Sequence, residues 1–104
     1  MPISQHHKDM LFVALSQIPQ GRVITYGELA RRAGMPNGAR LVGKILSELP
    51  KGSGLPWHRV INAQGKLSFP LDSKAYCTQK SLLMQEGVEF VKDKIRLSVY
   101  GCEG

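Results

Sequence analysis

"QGRVITYGELARRAGMPNGARLVGKILSELP", residues 20–50, is the stretch whose reading decides the fold. Thr25 followed three residues later by Glu28 is a capping-box pattern, so a helix is expected to start near Tyr26 and to be closed by Gly34. Asn37 is placed to cap a second helix, from about Gly38 to Leu49, with Leu41, Val42, Ile45, Leu46 and Leu49 as its apolar stripe. Two short helices separated by "GMPNG" have the shape of a helix-turn-helix, whose second helix enters a groove of DNA. Arg40, Lys44 and Ser47 fall on the outward side of that helix, and the small residues Gly38, Ala39 and Gly43 would let its backbone approach nucleic acid closely. The same pattern also describes a helical pair in a small core, with glycines serving turns and tight packing.

Charge bears on that choice. Fourteen Lys and Arg against eight Asp and Glu give a net charge of +6, the footprint of a protein that neutralises phosphates. A solvated surface tuned for solubility would carry the same balance. Charge and motif together favour DNA over either feature alone.

Working outward, Leu11, Ala14, Leu15 and Ile18 recur at helical spacing from Ser4 to Ile18, with Ser4 available as N-cap and Pro19 just past the end. On the other side, "KGSGLP" reads as a loop, "WHRVI" with "NAQGK" as a short strand and turn, and "KLSF" as a possible return. Ser73 to Glu86 has Tyr76, Lys80, Leu83 and Met84 at helical intervals before Gly87. "VEFVKDKIRLSVY" reads as two short strands around Lys92-Asp93, and its basic residues Lys92, Lys94 and Arg96 suit a solvated hairpin. The expected class is α+β and mostly helical, a single winged-helix-like domain over residues 1–104 with one or two small sheets.

Several function classes are disfavoured. No apolar run approaches the roughly 20 residues that span a bilayer. "MPISQHHKDM" lacks the charged region, apolar core and cleavage site of a signal peptide, so a cytoplasmic protein without a membrane partner is expected. Cys77 and Cys102 show neither metal-ligand nor redox spacing, and His6, His7 and His58 do not cluster with them at zinc spacing. Free thiols, no metal and no cofactor are the expectation.

Four motifs, "IPQGRVITYGELARRAG", "ARLVGKIL", "PWHRVI" and "LLMQEGVEF", in this order and spacing, resemble the DNA-binding domain of O6-alkylguanine-DNA alkyltransferases. The resemblance runs from about Met10 to Glu89, and it implies that domain without the larger N-terminal domain common in those enzymes. The family's signature is Pro-Cys-His-Arg-Val, and here Trp57 stands where the acceptor cysteine would be. Transfer needs a thiolate, activated by a neighbouring His that a carboxylate orients. Indole is no comparable nucleophile, because its nitrogen lone pair belongs to the aromatic system and its N–H only donates. His58 and Glu86 match the activating pair and are read as a structural remnant tying the loop to the last long helix. Leu49 stands where the family usually has an asparagine. "SFPLDSKAY" is longer than the family's lid loop by about two residues and does not keep its Tyr-Ser-Gly pattern.

By resemblance, Arg40 is the finger that enters the duplex from the minor groove and fills the gap left by an extruded nucleotide. A planar cation suits that place because it stacks in the base ladder while its donors bind neighbours. Ala39, Gly43 and Lys44 accompany it on the DNA-facing helix. Tyr26 matches the residue that helps rotate the nucleotide out, and Trp57 and Val60 match positions whose backbone carbonyls read guanine's amino edge. The chain is thus identified as alkyltransferase-like: a monomeric, non-enzymatic binder of duplex DNA containing O6-alkylguanine. The resemblance further implies hand-over to nucleotide excision repair through its damage-recognition ATPase. Two alternatives stay open, a transferase with its acceptor relocated to Cys77 and a helix-turn-helix transcription regulator reading the major groove.

Overall fold

A computed structural model describes residues 5–50 and 52–102. In chain order it contains α1 (Gln5–Ser16), β1 (Ile24–Thr25), α2 (Tyr26–Arg32), α3 (Ala39–Ser47), β2 (Val60–Ile61), α4 (Lys74–Gln85), β3 (Phe90–Val91), β4 (Lys94–Ile95) and α5 (Leu97–Tyr100). The class is α+β and mostly helical, as expected. The candidate cap Ser4 lies outside the described residues. Among the described residues no helix is long and apolar enough to cross a membrane.

The helix-turn-helix forms where its caps place it, with two departures. Thr25 Oγ1 accepts from the Glu28 amide at 3.2 Å and starts α2. The reciprocal half of the box does not form: the Glu28 carboxylate instead takes Arg31 Nη2 at 2.5 Å and Arg32 Nε at 3.2 Å. Two guanidinium groups one turn away offer stronger bonds than a neutral N–H. Gly34 ends the helix at φ +76°. Asn37 is not the cap of α3; it sits in the left-handed region at φ 66°, and Gly38 occupies the N-cap position without a side-chain bond. The turn is closed instead by the Gly38 amide donating to Met35 O at 2.8 Å. This bend is so tight that a Cβ on Gly38 would lie 2.7 Å from Met35 O. The apolar seam of α3 is also narrower than expected, with Val42 and Ile45 buried and Leu41 exposed.

β1 and β2 pair in parallel, Ile24 opposite Val60 and Thr25 opposite Ile61. Side chains alternate across a strand, so this short ladder separates two cores. Ile24 and Val60 face Leu11, Leu15 and Ile18 of the first helical layer, Leu29 of α2 and Val42 of α3. Val23 and Ile61 face Leu67, Tyr76, Leu83, Val88 and Ile95. Each fully buried leucine or isoleucine contributes about 1.5–3 kcal/mol.

"WHRVI" is mostly not strand. Trp57–Arg59 make one 3-10 turn, and extended backbone begins at Val60. "KLSF" does not return as a strand either, because Asn62 Oδ1 accepts from the Gln64 and Lys66 amides and folds the chain into a local turn. Ser73 caps α4 by accepting from the Tyr76 amide at 3.1 Å. The buried seam of α4 is Tyr76, Gln79 and Leu83, and Met84 is exposed. Beyond it β3 and β4 form the expected antiparallel hairpin, with Lys92 and Asp93 at φ 51° and 63° in its turn. "LSVY" adds α5 where extended chain was expected.

Candidate nucleic-acid interface

The turn carrying Trp57 is held from below by one carboxylate. Glu86 closes the C-terminal end of α4, where its Oε2 accepts from His58 Nε2 at 2.7 Å and from Arg59 Nη2 at 2.8 Å. Its Oε1 accepts from Arg59 Nε at 2.9 Å and from the Gly21 amide at 3.0 Å. Arg59 Nη1 continues to Ile18 O at 2.7 Å. A single acidic group thus joins the Trp57 turn, α4 and the segment between α1 and β1. Burial pushes the Glu86 carboxyl upward, but the bonds from Arg59, the Gly21 amide and His58 outweigh it and bring its pKa down to about 2. The ionised form only accepts, so Nε2 of His58 carries the shared proton.

Above this clamp lies a cavity of about 400 Å³, within the range of small-ligand pockets of about 300–1,000 Å³. Tyr26, at the first position of α2, forms one wall. Ala39, Arg40, Gly43, Leu46 and Ser47 of α3 form a second, and Trp57, Ser68, Phe69 and Gln79 form the rest. Gly43 lies beside the Tyr26 ring, where a Cβ would make an ordinary contact at 3.9 Å. The Trp57 and Phe69 rings meet edge to face at 6.4 Å, and Trp57 meets the His58 ring likewise at 6.0 Å. The lining is chiefly aromatic and apolar, with the Arg40 cation exposed at its edge. A second cavity, of about 870 Å³, shares Leu46, Ser47, Trp57 and Phe69 with the first and is bounded on its far side by Leu49, Leu55, Pro56, His58 and Arg59.

Of the residues singled out in the sequence, Tyr26, Ala39, Arg40, Gly43, Ser47 and Trp57 converge on the first cavity, together with Leu46 of the expected apolar stripe. Lys44 is exposed on α3 and does not line it. Val60 is buried in the first core, and its carbonyl accepts from Gln79 Nε2 at 3.1 Å. His58 and Glu86 form the expected network, and Arg59 is a full member of it that sequence reading passed over. Phe69 and Gln79 were also missed. Gln79 left a readable trace, a polar residue on the stripe set by Tyr76 and Leu83. Phe69 left none, since its loop position depends on the turn at Asn62. Cys77 is exposed and faces a different groove, with Lys80, Ser81, Met84 and Gln85. Among the described residues no group of three or more His, Cys, Asp or Glu side chains could hold a metal ion.

Comparison with known proteins places this geometry. The family model for the 6-O-methylguanine DNA methyltransferase DNA-binding domain matches residues 7–88. A DNA base-flipping protein of Vibrio parahaemolyticus is 50% identical over 91 residues, covering 86% of this chain and 89% of the relative. Alkyltransferase-like protein 1 of Schizosaccharomyces pombe is 42% identical over 85 residues, covering 82% and 79%. The crystal structure of S. pombe Atl1 in complex with damaged DNA containing O6-carboxymethylguanine superposes with a TM-score of 0.88 at 37% identity, covering 100% of both chains.

Proposed function

The chain belongs to the family of the 6-O-methylguanine DNA methyltransferase DNA-binding domain, and on that premise we propose that it is a non-enzymatic sensor of alkylated DNA. It binds duplex DNA from the minor groove, extrudes O6-alkylguanine and holds the base without taking its alkyl group. The observation that carries this reading is the aromatic cavity between the helix-turn-helix and the Trp57 turn, with the Arg40 cation at its edge and an indole where the family reaction needs a thiolate. An extruded base must recover an unstacking cost of a few kcal/mol. Tyr26, Trp57 and Phe69 supply apolar and π surface for that return, and Arg40 fills the vacated stack. Lys44 adds phosphate-directed charge beside it.

His58 and Glu86 act as structural members. The proton between them has no thiol to serve, and the same carboxylate is committed to Arg59 and Gly21. Cys77 is a poor substitute acceptor, because it faces a separate groove on the exposed side of α4. A transcription regulator reading undamaged sequence would leave the cavity without a role. The second cavity behind Trp57 and Phe69 supports room for substituents larger than methyl, and the damaged base in the S. pombe complex is such an adduct.

Residues 1–104 act as one DNA-binding unit, a cytoplasmic monomer without cofactor. A protein that holds a lesion and leaves it chemically unchanged requires a successor. The family resemblance points to nucleotide excision repair, reached through its damage-recognition ATPase. The test of flipping without transfer uses a duplex with O6-methylguanine beside a fluorescent base. Binding should brighten the neighbour as stacking is lost, while the intact mass of the protein stays constant. A mass gain of one methyl group would make the chain a transferase, and unchanged fluorescence on binding would contradict extrusion.

A further inference from the structure

Lys66, Lys94 and Arg96 belong to distant parts of the chain and meet around one backbone contact. The Ile95 amide donates to Gly65 O at 2.8 Å, an approach so close that a Cβ on Gly65 would lie 2.5 Å from Ile95 O. Leu67 and Ile95 turn inward there, 6% and 3% exposed, and the three basic side chains are left outside. The acids nearby do not neutralise them. Asp93 accepts from Tyr76 Oη at 3.2 Å and pairs with Lys80 at 3.5 Å, and Glu89 reaches Arg96 only at 3.9 Å. Lys66 and Lys94 have no ion-pair partner among the described residues. Like charges held on adjoining segments repel, so this surface has an anion to gain. Its position says which. Burial alternates from Lys66 through Leu67 to Ser68, so Lys66 and Ser68 share one side of the chain. Ser68 lines the cavity of Tyr26, Trp57 and Phe69, and two residues span at most about 7 Å. The basic cluster thus continues from the rim of that cavity on the Phe69 side, whereas Arg40 and Lys44 stand on α3.

We propose that Lys66, Lys94 and Arg96 form a second phosphate-binding surface, which takes the backbone of the duplex beside the extruded nucleotide. This rests on reading the cavity as the seat of that nucleotide. A base swung into the cavity leaves its strand running past the rim, where Arg40 and Lys44 meet phosphates on one side and this cluster meets them on the other. Contacts of this kind position the duplex and carry no information about the base. The cluster therefore adds affinity for any duplex and leaves the preference for the lesion to the cavity.

The test titrates wild-type protein, a Lys66→Gln/Lys94→Gln double variant and Arg31→Gln against two duplexes, identical except for guanine or O6-methylguanine, at several salt concentrations. All three positions are exposed, and Arg31 faces a different cavity with Glu28 and Cys102, so it controls for net charge alone. Each phosphate contact contributes about 0.9 to the salt slope of log K. The double variant should lose about 1.8 of that slope and bind both duplexes more weakly by the same factor, while Arg31→Gln keeps the wild-type slope. A wild-type slope in the double variant would overturn the proposal and leave the cluster to an acidic protein surface. The same loss per charge in Arg31→Gln would overturn it too, because the effect would then follow net charge and not place. Failure of the underlying reading looks different: wild-type protein would bind O6-methylguanine no more tightly than guanine, whatever the slopes.

Discussion

At the scale of single residues, the proposed function assigns the loss of chemistry to Trp57 and part of the recognition to Arg40, two residues that line one cavity. Trp57→Cys restores the family signature above an intact His58–Glu86 pair. It is nevertheless expected to yield little or no transfer to the protein from an O6-methylguanine duplex, measured by intact mass. Leu49 and the Phe69 loop still shape the surroundings for holding, and Glu86 is shared with Arg59 and Gly21. Efficient methylation of that variant would show that the indole alone suppresses the reaction. Arg40→Ala should weaken binding to a lesion duplex by about 1–3 kcal/mol and lower the salt slope of log K by about 1, read from titrations at several salt concentrations. Unchanged affinity would remove Arg40 from the mechanism. Both residues were legible in the sequence because each stands inside a motif. The Glu86 clamp was half legible, since nothing in "WHRVI" says that Arg59 turns inward to Glu86 and Ile18 O while a neighbouring indole faces the cavity.

At the scale of elements, two devices hold the interface in shape. The turn between α2 and α3 depends on Gly38, where a Cβ would meet Met35 O at 2.7 Å and Met35 Cβ at 2.9 Å. Gly38→Ala should destabilise the fold by about 1–3 kcal/mol in urea unfolding and displace Arg40 with it; equal stability would mean that the turn relaxes freely. The second device is the joint at Glu86. Its carboxyl is lowered from 4.5 to about 2 by folding, so its stabilisation is fully present above pH 4.5 and is lost as pH falls through about 2. That amounts to about 3 kcal/mol. Glu86→Gln should lower stability at neutral pH and flatten the acid limb of the stability curve, followed by thermal unfolding between neutral pH and the acid end. An unchanged acid limb would put the acid sensitivity elsewhere. Helix positions followed from apolar spacing and caps, but which face turns inward did not: Leu41 was expected inside because spacing alone cannot tell the edge of a stripe from its centre. The strand content of "WHRVI" was overestimated for a similar reason. Two residues suffice to pair with β1, and the β-branched run carries no sign of the 3-10 turn before it.

At the scale of the whole molecule, the parallel pair of β1 and β2 sets two cores back to back, and the Glu86 joint holds the cavity floor near the helix-turn-helix. The net charge of +6 gives sequence-independent attraction to duplex DNA, so affinity for undamaged duplex should fall steeply with salt. The proposed function assigns discrimination to the cavity, whose contacts would be realised only after a base leaves the stack. The central claim is therefore tested most directly by competition between two short duplexes identical except for one O6-methylguanine, with the intact mass of the protein recorded afterwards. The account predicts binding to the lesion tighter by about tenfold or more, equivalent to about 1.4 kcal/mol, with no change in mass. Equal affinity for the two duplexes, or a protein heavier by one methyl group, would contradict it.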